Sequence, residues 1–191
     1  VIDAGHGGED GGAVAADGTV ESGINLAIAQ DLDALLRFLG CETRMTRTED
    51  AAIYSDGART LREKKASDLK NRVALVNETP NAVLLSIHQN SLPSHPSTHG
   101  AQVFFNAVDP AGEVAQGVQQ ALNMSLDGGK TVKAMDGGVY LMKQIRCPGV
   151  LVECGFLSND KEAAHLQTEE HQRRLATAIL AGLLQYSTKE G

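Results

Sequence analysis

Residues 82–87 read AVLLSI, an almost uninterrupted apolar run, and the polar sequence HQNS follows directly at 88–91. Such a run is typical of a strand buried on both faces, as in parallel sheets that are covered by helices. A second run, VLV at 150–152, is followed by ECG at 153–155, and the chain opens with VIDAGHGG at 1–8. We therefore expect three buried strands, each of which ends in polar residues.

Helical patterns separate these strands. Apolar residues from Ile24 to Leu39 recur at helical spacing and stop at Gly40, a residue suited to the position after a helix C-terminus. Further helices are predicted at about 58–77, 113–124, 160–166 and 168–186, with short strands at 41–46 and 101–105. This alternation predicts an α/β fold: a single domain, residues 1–191, whose central, largely parallel twisted sheet is flanked by helices on both faces.

Length and charge narrow the class of protein. A chain of 191 residues with 42% hydrophobic residues suits one globular domain. Its net charge of −7 and its lack of a basic run argue against nucleic-acid binding, because contacts to phosphate need Lys and Arg. No apolar run approaches the roughly 20 residues that a membrane-spanning helix needs. The three scattered cysteines predict buried free thiols and no disulfide framework.

The polar residues after the strands predict an active site. Ligands of open α/β sheets bind at the carboxyl ends of strands, so His6, His88 and Glu153 should meet at one edge of the sheet. Two histidines and one carboxylate, with a position left open for water, are typical of catalytic zinc sites. The residue types leave the identity of the carboxylate ligand open among Glu9, Asp10, Asp17 and Glu21.

Several of these residues also have a purely structural interpretation. His6 could bond to the loop backbone, and its glycine-rich loop could bind phosphate, although neither glycine pattern of phosphate loops occurs. Glu153 either forms a buried salt bridge with Arg146 or Lys143, or lies in a cleft as a general base. Cys154 could act as a nucleophile, but its apolar neighbours favour a position in the core.

At these residues the sequence resembles the zinc-dependent N-acetylmuramoyl-L-alanine amidases of bacterial cell-wall metabolism, the amidase 3 family. The matching motifs are IDAGHGG at 2–8, DGGA at 10–13, VE at 20–21, SIHQNS at 86–91 and VLVECGFLSN at 150–159. They span nearly the whole chain in the order of the family. The family usually has Pro where this chain has Ala4, a difference that leaves the polar positions unchanged.

The resemblance implies that zinc is held by His6, Glu21 and His88. It also implies that Glu153 is the catalytic acid/base and that Asn90 contacts the substrate. The implied reaction is hydrolysis of the amide bond between the lactyl group of N-acetylmuramic acid and L-alanine of the peptidoglycan stem peptide. The alternatives are a zinc peptidase that cuts within the stem peptide and a non-catalytic domain of the same fold that binds the wall or a partner.

Residues 53–72 resemble the family members of spore-forming bacteria, which act in spore-cortex maturation before muramic-δ-lactam forms. Such an enzyme is expected outside the cytoplasm, in the cell wall, a periplasm-like space or the forespore intermembrane space. An activating or targeting protein is an expected partner. Because the sequence opens within a strand, we expect an N-terminal leader with a signal segment to precede it. The stretch between 105 and 150 is too short for the long helical insertion that occludes some division-associated amidases.

Overall fold

The computed structural model, which describes residues 1–126, 129–134 and 139–187, contains one five-stranded sheet. Its strands are β1 (Ile2–Ala4), β2 (Leu84–Asn90), β3 (Gln102–Phe105), β4 (Lys133–Ala134) and β5 (Gly149–Phe156). They lie in the order β1-β2-β5-β3-β4. The strands β1, β2 and β5 are parallel, β3 pairs antiparallel with β5, and β4 pairs parallel with β3. The three strands predicted as buried are therefore parallel neighbours.

Helices cover both faces of this sheet. Those in the described residues are α1 (Glu21–Phe38), α2 (Leu61–Asn77), α3 (Ala111–Ser125), α4 (Tyr140–Gln144), α5 (Asp160–Leu166) and α6 (Glu169–Ser187). The larger apolar core lies between the sheet and α1, α3, α5 and α6, and a smaller one lies between the sheet and α2 and α4. None of these helices combines the length and the hydropathy that a bilayer-spanning segment requires. The predicted α/β fold with a largely parallel, two-sided sheet is confirmed.

Helix boundaries follow local capping chemistry. Helix α1 ends just before Gly40, whose φ of +80° is the left-handed conformation predicted for it. Helix α2 begins at Leu61, later than predicted, because Thr60 and Glu63 form a capping box. The Thr60 hydroxyl accepts the N–H of Glu63, and the Glu63 carboxylate accepts the N–H of Thr60.

Two local predictions are wrong. The segment 41–46 forms no strand, and its pairing with the sheet is an isolated bridge between Met45 and Ile2. Strand β1 is only three residues long, so it offers this segment few partners. The three cysteines are free, but only Cys154 is buried, whereas Cys41 is exposed and Cys147 is half-buried. Cys41 follows the end of α1 on the surface.

Candidate metal centre

The carboxyl ends of β1, β2 and β5 carry polar residues side by side. His6 follows β1, and His88 lies near the end of β2. Glu153 on β5 is the parallel register partner of His88. Side chains at paired positions of neighbouring parallel strands point to the same face of a sheet. The structure therefore brings together the three polar residues that the sequence places after its apolar runs, although β2 and β5 continue past His88 and Glu153.

A carboxylate from α1 completes the group. Glu21 is the first residue of this helix, and its Oε1 lies 3.0 Å from Nδ1 of His88 and 3.5 Å from Nε2 of His6. One ligand atom from each of these three residues lies within 4.8 Å of the other two. Across the described ranges, no other set of three His, Cys, Asp or Glu side chains meets this condition. These three residues can hold a metal ion.

The structure separates the four carboxylates that the sequence left open. Glu9 and Asp17 do not contact either histidine; they pair with a lysine and with a nearby loop N–H. Asp10 lies 3.1 Å from Nδ1 of His6, the ring nitrogen that does not face Glu21. Glu21 therefore lies between the two histidines, and Asp10 contacts His6 at the ring nitrogen that points away from Glu21.

Several hydrogen bonds hold Glu21 in place. Its Oε2 accepts the N–H of Ala13 at 2.8 Å, and its Oε1 accepts the N–H of Gln89 and the side-chain amide of Asn25. Burial by itself raises the pKa of Glu21, but the hydrogen bond and the charge of His88 outweigh it and lower the pKa to about 2. The carboxylate is thus ionised at neutral pH, as a metal ligand must be.

The ring of His88 lies directly against the backbone of Gly5. A Cβ atom at Gly5 would lie 2.2 Å from Cε1 of this ring, so the close approach requires glycine. The His6 and His88 rings meet edge to face with centroids 5.1 Å apart. Burial by itself lowers the pKa of His88, but the hydrogen bond to Glu21 and the charges of Glu153 and Glu21 raise it above its usual value. A metal ion at this site competes with a proton for His88.

Glu153 is half-buried on β5, and no side chain in the described ranges forms a salt bridge with it. Its Oε2 is buried and has no hydrogen-bond partner among the residues that the structure describes, and neither Arg146 nor Lys143 pairs with it there. Burial raises the pKa of Glu153 to about 7; the charge of His88 lowers this pKa, and that of Glu21 raises it. A carboxyl group with a pKa near neutrality can both accept and release a proton at the pH of the reaction.

Asn90 and Cys154, which lie close to these residues along the chain, differ in how far their side chains are exposed. Asn90 is half-buried at the end of β2, and its Oδ1 accepts the N–H of Ser91. Its contact with substrate stays a prediction.

Cys154 is 1% exposed, and burial together with the charge of Glu153 raises the pKa of its thiol. A protonated, covered thiol is a poor nucleophile, which disfavours the alternative chemistry at Cys154.

A shell of buried polar side chains behind the donors was not predicted from the sequence. It comprises Asn25, Arg47, Arg72 and Gln89. Asn25 donates to Glu21 and accepts from the side chain of Gln89. One signal of this shell was present in the sequence: the buried residues of α2, Asp68, Arg72 and Val76, recur every four residues. The charges on this helix favoured a solvated face instead.

Comparisons with known proteins agree with this geometry. The profile of the N-acetylmuramoyl-L-alanine amidase family matches residues 1–185. The germination-specific N-acetylmuramoyl-L-alanine amidase of Bacillus subtilis (strain 168) is 36% identical over 191 residues, which cover all of this chain and 80% of the relative.

Solved structures extend the similarity to the fold. The CwlD amidase of Clostridioides difficile, solved in complex with the GerS lipoprotein, is 36% identical and superposes with a TM-score of 0.93 over 98% of this chain and 96% of its own. An N-acetylmuramoyl-L-alanine amidase from Clostridium difficile 630 is 28% identical, with a TM-score of 0.86 over 100% of this chain and 96% of its own. The resemblance seen in the sequence is confirmed: the chain belongs to the amidase 3 family, the N-acetylmuramoyl-L-alanine amidases.

Proposed function

We propose that this amidase binds zinc through His6, Glu21 and His88 and uses Glu153 as its acid/base. The observation that carries this proposal is the meeting of the three donors within 4.8 Å, with Glu153 beside His88 on the next strand. Two imidazoles and one carboxylate fit zinc, because they are its usual ligands in catalytic sites that keep one position open. Bound there, zinc would supply a Lewis acid that polarises the scissile carbonyl and lowers the pKa of a water towards 7.

The protein's own residues orient the ligands. The Asp10 carboxylate accepts a hydrogen bond from the Nδ1–H of His6, and Nε2 of that ring then faces Glu21. Such carboxylate–histidine pairs fix the tautomer of a metal-ligating imidazole. Glu21 stays ionised because His88 lowers its pKa to about 2 against the effect of burial.

Glu153 moves the proton in the proposed reaction. Its carboxylate takes a proton from the attacking water and passes it to the amide nitrogen as the C–N bond breaks. The lactyl group of N-acetylmuramic acid leaves with a free carboxylate, and L-alanine leaves with a free amine. Asn90, half-buried at the same edge of the sheet, contacts the substrate.

The proposed setting is peptidoglycan outside the cytoplasm. The similarity to a germination-specific amidase supports action on the spore cortex, in the cell wall or the forespore intermembrane space, before muramic-δ-lactam forms. In this proposal residues 1–191 act as one catalytic domain. The complex of the C. difficile relative with a lipoprotein supports an activating or targeting protein as a partner.

The test combines metal analysis with mass spectrometry of muropeptides, on the wild-type protein and on Glu153→Gln. Both proteins should contain stoichiometric zinc, and Glu153→Gln should lose about 10²- to 10⁴-fold in rate. Glu169→Gln, which neutralises a carboxylate that is 82% exposed, is the matched control and should keep full activity. The products should be muramic lactyl carboxylates and intact peptides that begin with L-alanine.

Three outcomes would contradict this proposal. Full activity of Glu153→Gln would remove Glu153 from the reaction. Shortened stem peptides would indicate a zinc peptidase. A wild-type protein that neither binds zinc nor hydrolyses peptidoglycan would indicate a non-catalytic binding domain.

A further inference from the structure

Two buried arginines converge on the backbone that follows β1. The side chains of Arg47 and Arg72, which we call the arginine pair, come from the loop after α1 and from the middle of α2. Arg47 is 4% exposed and Arg72 is 2% exposed. Arginine is rarely buried to this degree unless its donors are satisfied. The hydrogen bonds that the two guanidinium groups donate therefore explain why the fold buries them.

Arg47 ties together the two segments that carry His6 and Glu21. Its Nη2 donates to the carbonyl oxygen of Gly5 at 3.1 Å and to that of Ser22 at 2.8 Å. Gly5 directly precedes His6, and Ser22 directly follows Glu21. One guanidinium nitrogen of Arg47 thus binds the backbone next to His6 and the backbone next to Glu21, and so fixes the distance between these two segments. The hydrogen bonds of Arg47 go to backbone carbonyls and not to the side chains of His6 or Glu21.

Further donors of the pair hold the same backbone. Nε of Arg47 donates to the carbonyl of Ala4 at 2.9 Å, and Nη1 of Arg72 donates to that carbonyl at 2.8 Å. Nη2 of Arg72 donates to the carbonyl of His6 at 2.7 Å. His6 has a φ of +61°, a left-handed conformation that a non-glycine residue keeps only when its surroundings impose it. The arginine pair supplies these surroundings.

The position of Arg47 is electrostatically unfavourable by itself. Burial and the neighbouring charge of Arg72 both lower the pKa of Arg47, while Asp50, Asp3 and Asp68 act in the opposite direction. Lysine would carry the same charge, but it lacks the rigid fork that serves several carbonyls at once. The feature that this position needs is therefore the fork of donors.

We propose that Arg47 is a positioning residue for the metal centre, which sets the separation of His6 and Glu21 before a metal ion binds. This inference rests on the metal site of the proposed function. It adds that the affinity for the ion depends on a residue that touches neither the ion nor its ligand atoms.

The test is zinc binding by the Arg47→Lys variant of the whole chain. Removal of a residue that positions the ligands of a metal without touching the ion typically weakens metal affinity by about 10- to 100-fold. We expect a change of this size in the zinc Kd measured by chelator competition. The absorption spectrum of the Co²⁺-substituted protein should also change, because it reports the geometry of the ligands. A loss of fold stability alone would leave this spectrum unchanged.

Asn106→Ala is the matched control. Asn106 is also a buried side chain that binds backbone, since it donates to the carbonyl of Cys147 and accepts the N–H of Gly149. It directly follows β3 and binds the first residue of β5, four residues before Glu153. Asn106→Ala should lower the melting temperature but leave the zinc Kd and the Co²⁺ spectrum at their wild-type values.

A measurement on the wild-type protein keeps the inference falsifiable if Arg47→Lys does not fold. In the metal-free protein, the Nε–H proton of Arg47 should exchange slowly with solvent, and zinc should change its NMR signal little. Rapid exchange that slows only after zinc binds would overturn the inference, because the ion would then order the loop. A zinc Kd and a Co²⁺ spectrum of Arg47→Lys equal to the wild-type values would also overturn it. Failure of the wild-type protein itself to bind zinc would instead refute the proposed function.

Discussion

Replacing Gly5 with alanine tests the close approach of His88 to the backbone after β1. The new Cβ would lie 2.2 Å from Cε1 of the ring, whereas ordinary van der Waals contact begins at 3.4 Å. The backbone cannot easily retreat, because the Gly5 N–H donates to the carbonyl of Ile87 and its own carbonyl accepts from Arg47 and Asn25. The ring of His88 must therefore move by roughly 1 Å to restore a normal contact.

Two magnitudes follow from this displacement. Overpacking of this kind costs about 1–3 kcal/mol, so the free energy of unfolding of the metal-free protein should fall by that amount. A misplacement of about 1 Å at a reacting centre can cost about 10²-fold in rate, and we expect a loss of this order in amidase activity. Zinc affinity should fall with it, since Nδ1 of His88 leaves its position 3.0 Å from Glu21.

The assays are urea denaturation, zinc titration and release of muropeptides. Gly23→Ala is the control: this exposed glycine lies on α1, two residues after Glu21, and a Cβ there meets nothing within 4 Å. It should raise stability by about 0.4–1 kcal/mol and leave zinc affinity unchanged. Wild-type zinc affinity and activity in Gly5→Ala would refute the importance of this contact.

Further predictions concern the residues around the site. Asp10→Ala should weaken zinc binding by about 10- to 100-fold, measured by chelator competition, because Nδ1 of His6 loses its acceptor. Asp3 has a lowered pKa: burial raises it, but the charges of Arg72 and His88 and the hydrogen bonds from Ser86 and Arg72 together outweigh burial. The stabilisation is therefore complete above the unfolded pKa of about 3.9 and is lost as the pH falls through the folded value. The stability difference between the wild-type protein and Asp3→Asn, measured by urea denaturation, should therefore shrink below about pH 4. Cys154→Ala should keep its amidase activity in the muropeptide assay, since a thiol that is 1% exposed is covered from substrate.

The sequence predicted the parts of the fold that depend on local patterns. The apolar runs gave the three parallel strands, and helical spacing gave the ends of α1, α2, α3, α5 and α6 to within a few residues. The five-residue helix α4 was not predicted, because it is too short to show helical spacing. The segment 41–46 failed because a strand needs a partner, and a three-residue β1 offers it only one bridge. The start of α2 moved to Leu61 because side-chain capping, and not apolar spacing, sets the first turn.

The polar set at the edge of the sheet was partly predictable. The rule that strand ends carry ligands selected His6, His88 and Glu153, because His88 and Glu153 directly follow apolar runs in the sequence and His6 lies in the loop after the first strand. The shell behind them escaped prediction. Arg47 and Arg72 act on backbone carbonyls far away in sequence, and a carbonyl has no residue type that a sequence could reveal.

The sequence by itself thus determined the layered α/β fold, the family and the edge of the sheet at which the polar residues collect, since all of these follow from local periodicity and from motifs. The family motifs implied Glu21 as the carboxylate ligand, but only the tertiary structure decided which carboxylate faces both histidines and by what packing. The residue types of Glu9, Asp10 and Glu21 are equivalent in a sequence, but the packing of α1 beside β2 brings Glu21 to the rings, while α2 draws Glu9 and Asp10 to its lysines. Contacts between segments so distant along the chain depend on packing, and packing exists only in the folded protein.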